Sequence, residues 1–125
     1  MFTTFLQVAA GGAIGSGLRF LTGVAVLRVF GTGFPLGVLA VNIIGSLLMG
    51  AFVVYAAHRG LTHLGPFVMT GVLGGFTTFS AFSLEAYTLF ERGQIGSAAA
   101  YVALSVVVSI IALVIGVMVT RGILA

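Results

Sequence analysis

The sequence runs to 125 residues and 12.8 kDa, with 60% hydrophobic residues, 6% charged residues and a mean hydropathy of +1.29. Soluble domains carry about a quarter charged residues, so a monomeric soluble fold, an exposed nucleic-acid binder and a disordered tail are excluded. The net charge of +3 comes from five Arg against two Glu, too few to indicate acidic partners, and the lack of Cys excludes disulfides and thiolate chemistry.

A membrane-crossing helix needs about 20 apolar residues. Polar breaks divide the chain into four such lengths, which predict an all-α membrane protein with one transmembrane domain over residues 1–125. The first, Thr3–Leu27, ends at Arg28 and Gly31-Thr32-Gly33, and the second, Phe34–Ala57, at His58-Arg59-Gly60. The third, Leu64–Phe90, ends at Glu91-Arg92-Gly93, and the fourth, Ile95–Thr120, at Arg121. No basic leader precedes the first length, so it is expected to stay in the mature chain. Four spans place Arg59 and Arg121 on one side and Arg28 and Arg92 on the other, so the positive-inside rule gives no orientation. Either copies insert both ways and pair as an antiparallel homodimer, or the lipid environment or the free N-terminus sets one orientation.

Polar groups inside spans are costly, so each needs a reason. Gly11, Gly15 and Arg19 share one face of the first span. The two glycines read as helix packing. Arg19 either snorkels to the surface or anchors an inner polar network or an aqueous vestibule that draws anions. The second span repeats the spacing with Asn42, Ser46 and Gly50, where the Asn42 amide must find partners as interhelical glue or as pore lining. In the fourth span Tyr101, Ser105 and Ser109 put three hydroxyls on one face, a hydrogen-bonding track or a small-residue packing stripe.

The third span carries Gly71-Val-Leu-Gly74-Gly75-Phe76-Thr77-Thr78-Phe79-Ser80 at its middle. Glycine costs about 1 kcal/mol in a helix interior, and Ser and Thr are weak helix formers. The composition predicts a helix broken mid-membrane near Gly74–Ser80. Such a break exposes carbonyls that can hold a hard cation and amides that can face an anion. Phe79 and Phe82 follow at i and i+3, then Ser83 and Glu85. Aromatic rings have positive edges that can meet an anion, although core packing also accounts for such a pair.

These stretches together resemble the Fluc/CrcB family of fluoride channels. The matches are Gly11-Gly12-Ala-Ile-Gly15-Ser-Gly-Leu-Arg19-Phe20, Gly37-Val-Leu-Ala-Val41-Asn42-Ile-Ile-Gly45-Ser46, and Gly71 through Glu85. In the fourth span only the Tyr-Ser-Ser spacing matches. The resemblance implies an antiparallel dual-topology homodimer in the cell (inner or plasma) membrane, with two parallel fluoride pores lined by both subunits. It implies a central structural Na⁺ held by the backbone carbonyls of Gly74 and Thr77 of each chain. It also implies a phenylalanine box at Phe79 and Phe82, a pore amide at Asn42 and a polar track at Tyr101, Ser105 and Ser109. Ser83 and Glu85 would border the path and Arg19 would face the vestibule. Ala81 departs from the family, which commonly has Thr there.

The strongest rival is a small multidrug-type proton antiporter, also four short spans with dual topology. Such exchangers need a carboxylate deep in the membrane, whereas only Glu85 and Glu91 exist and the first span has no acid. A scaffold bundle explains packing glycines but not a broken span. An enzyme is not expected, because His58 and His63 lack acidic or Cys partners for a metal or nucleophile site.

Overall fold

The computed structural model describes residues 1–125 as helices alone. Helix α1 covers Phe2–Phe30 and α2 covers Leu36–Arg59. The third stretch is composite: a 3₁₀ turn at Thr62–Leu64, a π-helical segment at Pro66–Leu73, one α-helical turn, α3, at Gly74–Phe76, and then α4 at Phe79–Glu91. Helix α5 covers Ile95–Leu124. Four stretches are long and apolar enough to cross a membrane: Phe2–Phe30, Leu36–Arg59, Thr62–Glu91 and Ile95–Leu124.

Three helices overrun the expected apolar limits, because Arg28, Arg59 and Arg121 lie inside the last turns of α1, α2 and α5. A cation near a helix C-terminus meets the favourable end of the dipole, so an Arg that closes an apolar run does not close the helix. Helix α2 begins later than expected. Pro35 occupies its cap, and the residue before a proline is held extended.

The helix of the third stretch stops at two threonines. Thr77 (φ −89°, ψ 161°) and Thr78 (φ −153°, ψ 123°) are both extended. The neighbouring glycines, expected to loosen the helix, remain helical; Gly74 has φ −64° and ψ −37°. Adjacent β-branched residues favour extended backbone. The glycines instead let α1 approach. A Cβ on Gly71 would lie 2.9 Å from the Gly11 Cα, and one on Gly75 would lie 2.8 Å from the Gly12 carbonyl oxygen.

Helix α1 therefore packs on the π-helical segment and α3, while α2 packs along α5. The second pair closes just as tightly, since a Cβ on Gly116 would lie 3.0 Å from the Ala51 amide nitrogen. Close backbone approach through small residues is how helices associate where no water drives them together. Leu39, Phe82, Leu89, Ala98 and Tyr101 form the apolar core between α2, α4 and α5. Phe20, Leu21, Ile110 and Ile123 face outward, and 17 of 125 residues are buried. A surface this apolar suits lipid and would aggregate in water.

Candidate functional site

A continuous helix would carry the Thr78 amide to the Gly74 carbonyl and the Ala81 amide to the Thr77 carbonyl. Neither bond forms. The Thr78 amide donates to Asn42 Oδ1 at 2.8 Å, and Asn42 Nδ2 donates back to the Thr78 carbonyl at 3.0 Å. The Ala81 amide donates to Thr78 Oγ1 at 3.1 Å, the side-chain cap that starts α4. The Thr77 hydroxyl turns back onto the Leu73 carbonyl at 2.9 Å. Arg19 reaches across from α1, its Nε donating to the Gly75 carbonyl at 3.0 Å. The carbonyls of Gly74, Phe76 and Thr77 are thus stripped of their helical donors, while those of Gly75 and Thr78 are tied by side chains.

Two cavities flank this break, and Thr78 lines both. The smaller, about 370 Å³, lies between α2, the break and α5 and is bordered by Asn42, Ser46, Met49, Thr77, Phe79, Phe82, Ser105 and Ser109. Ser105 and Ser109 are its distinctive feature. Their hydroxyl oxygens are buried and have no hydrogen-bond partner. A buried unpaired hydroxyl costs about 1–3 kcal/mol, so this recess is built for something polar. Asn42 has one amide hydrogen beyond the one given to Thr78, since a primary amide carries two donors.

The larger cavity, about 450 Å³, opens between α1, α2 and α4. Arg19, Glu85 and Arg92 line it, with Thr78 and Thr88. Along α2 and its cap the lining passes from this vestibule at Pro35–Val41 to the recess at Asn42–Met49. At 1.5 Å per residue, Pro35 to Met49 covers roughly 20 Å of helix axis.

The expected site residues divide accordingly. Asn42, Thr77, Phe79, Phe82, Ser105 and Ser109 meet at the recess, while Arg19 and Glu85 meet at the vestibule. Tyr101 leaves the expected file of hydroxyls. It is fully buried, lines neither cavity, and donates to Glu85 Oε2 at 3.2 Å. Its ring joins an aromatic chain, with centroids 5.5 Å from Phe34, 5.3 Å from Phe82, and 5.5 Å between Phe82 and Phe79. Ser83 also stands apart, exposed, with its hydroxyl on the Phe79 carbonyl at 3.0 Å. That is ordinary back-bonding within α4. Gly74 is exposed on this chain, and Phe79 is 78% exposed against 9% for Phe82.

Sequence reading passed over Thr78 as a site residue, although it caps α4, ties to Asn42 and borders both cavities. A hydroxyl residue immediately before an apolar helical run was the available signal.

Four apolar spans, a helix interrupted at Thr77–Thr78 and an unpaired polar recess beside the interruption define a multi-pass membrane protein with an internal polar site. The chain belongs to the CrcB family: the family model described as "CrcB-like protein, Camphor Resistance (CrcB)" matches residues 6–117. It is 70% identical over 125 residues to a protein of Ruegeria sp. strain TM1040 named "Fluoride-specific ion channel FluC", covering 99% of each chain. Proteins of the same name from Roseobacter denitrificans (62% identity; 96% of this chain, 97% of that one) and Paracoccus denitrificans (54%; 98% of each) are similarly related.

Proposed function

We propose that this chain forms a fluoride channel, a passive pore and not an enzyme, that exports fluoride from the cytoplasm across the cell membrane. The observation that carries this reading is the pair of partnerless hydroxyls, Ser105 and Ser109, in a recess shared with Asn42 and two phenylalanines. The names of its relatives indicate the ion.

The functional unit in this reading is an antiparallel, dual-topology homodimer with two parallel pores, and the break lies near mid-membrane. The two-against-two division of arginines at the span ends gives the positive-inside rule no preference. Phe79 presents an open ring, and Gly74 an open backbone, for a second copy to cover. Gly74 and Thr77 each offer a carbonyl without its helical amide donor. Hard cations bind oxygen ligands of this kind, so these residues fit Na⁺, which two chains would hold with four such oxygens. The bound ion would supply a positive charge that pins the two breaks together.

Hydrogen fluoride crosses bilayers neutral and dissociates inside, trapping fluoride. A negative-inside potential expels the anion through an open pore with about 2.3 kcal/mol per 100 mV, roughly a fiftyfold ratio. Fluoride enters by the vestibule, where Arg19 and Arg92 draw it and Glu85 sets the opposing charge. In the recess the free Asn42 N–H, the Ser105 and Ser109 hydroxyls and the edges of Phe79 and Phe82 replace lost water. No fixed charge lines the recess, which suits binding weak enough for exit. Tyr101 acts through Glu85 and Phe82, orienting both. Efflux from reconstituted vesicles, read with a fluoride electrode beside a chloride control, tests the reading: fluoride release without a pH gradient is expected. Comparable chloride release, or release that needs a proton gradient, would overturn it.

A further inference from the structure

Extended backbone at Thr77 and Thr78 removes the helical amide partners of the carbonyls from Gly74 to Thr77. Of these four, Gly75 is the one whose carbonyl accepts a side chain, through Arg19 Nε. One turn before Arg19, Gly15 locks α1 onto the same segment; a Cβ there would lie 2.8 Å from the Phe76 amide nitrogen. The Arg19 backbone is therefore held at a fixed height against the break, and the planar guanidinium adds direction that a flexible ammonium lacks. The half-buried Arg19 also lines the vestibule, so one side chain spans from the anion entrance to the break.

We propose that Arg19 is a positioning residue for the cation site: by holding the Gly75 carbonyl it fixes the break to α1 and keeps that carbonyl from competing with those of Gly74 and Thr77 for the ion. The inference rests on the Na⁺ reading above. It gives Arg19 a role separate from attracting anions, because the bond runs through Nε to a backbone carbonyl. Without it, the Gly75 carbonyl becomes a competing ligand and α3 keeps only its glycine packing on α1.

The test follows thermal unfolding of the purified full-length chain as Na⁺ replaces an organic cation at constant ionic strength, since a bound ion stabilises in proportion to its affinity. The parent protein is expected to gain stability with Na⁺. Arg19→Met is expected to need at least about tenfold more Na⁺ for the same gain, the scale of a lost hydrogen bond to a charged donor. Arg19→Lys, which keeps charge and a donor but not the planar geometry, is expected to recover only part of the response. A merely attractive charge in the vestibule would not move this readout in that direction. Arg19→Met binding Na⁺ as well as the parent, or better, overturns the proposal. A parent protein indifferent to Na⁺ overturns the Na⁺ reading itself and this inference with it. If Arg19→Met fails to assemble, Arg19→Gln carries the same comparison: a weakened response supports the proposal and an unchanged one refutes it.

Discussion

The side-chain amide of Asn42 grips Thr78 by both of its backbone polar atoms, accepting from its amide at 2.8 Å and donating to its carbonyl at 3.0 Å. The pairing imitates the bonding of a neighbouring strand, and it lets an extended residue persist between two helices without orphaned polar groups. Of the alternatives open for Asn42 in the sequence, interhelical glue is what these bonds show, and the same residue borders the recess.

Asn42→Ala should therefore fail twice. Loss of both bonds is expected to destabilise the chain by about 1–3 kcal/mol and to reduce fluoride efflux at least tenfold. Asn42→Asp keeps the acceptor for the Thr78 amide but places negative charge in the recess. Its efflux should fall at least as far, and its unfolding temperature should also fall, because the second carboxylate oxygen faces the Thr78 carbonyl without a donor. Thermal unfolding measured beside vesicle efflux reads both effects, and an Asn42→Ala variant that keeps either the parent stability or the parent efflux would contradict the dual role.

Phe79 and Phe82 differ in burial, and their substitutions should differ accordingly. Phe82 packs on Tyr101 in the core, whereas Phe79 is open. Replacing either with Ile should lower fluoride efflux while the dimer still forms, because the ring edge is lost. Phe82→Ile should also cost about 1–2 kcal/mol of stability through imperfect refilling of the core. Phe79→Ile should cost little. Unchanged efflux in both variants would remove the ring edges from the pathway.

Orientation is open to direct manipulation. A pair of lysines placed in the Gly31–Gly33 loop biases that loop toward the cytoplasm. Such a variant should be inactive alone and active when co-expressed with a copy biased the other way by lysines at Gly60–Thr62. Fluoride export by either biased form on its own would exclude the antiparallel dimer.

The apolar pattern disclosed the four spans because hydrocarbon thickness alone sets their lengths. Helices α1, α2 and α5 run on past those apolar limits through Arg28, Arg59 and Arg121, where the dipole favours the cation. The interruption of the third stretch was legible, but glycines and hydroxyl residues were given a joint part in it. Only the packing of Gly71 and Gly75 on α1 reveals that the glycines serve contact while the threonines turn the chain. The spacing of Tyr101, Ser105 and Ser109 put three hydroxyls on one face of the fourth span. It could not tell that Tyr101 bonds Glu85 while the two serines stay unpaired, because partners from other helices decide that. The vestibule and the Arg19–Gly75 bond likewise depend on contacts between distant segments.

The most direct test takes the double variant Ser105→Ala, Ser109→Ala and measures fluoride efflux with an electrode beside its thermal unfolding. Removing hydroxyls that have no partner should leave stability unchanged or slightly raised, while the lost anion contacts should cut efflux at least tenfold. A variant that conducts fluoride at the parent rate would contradict the claim that the recess beside the break is the path of the ion.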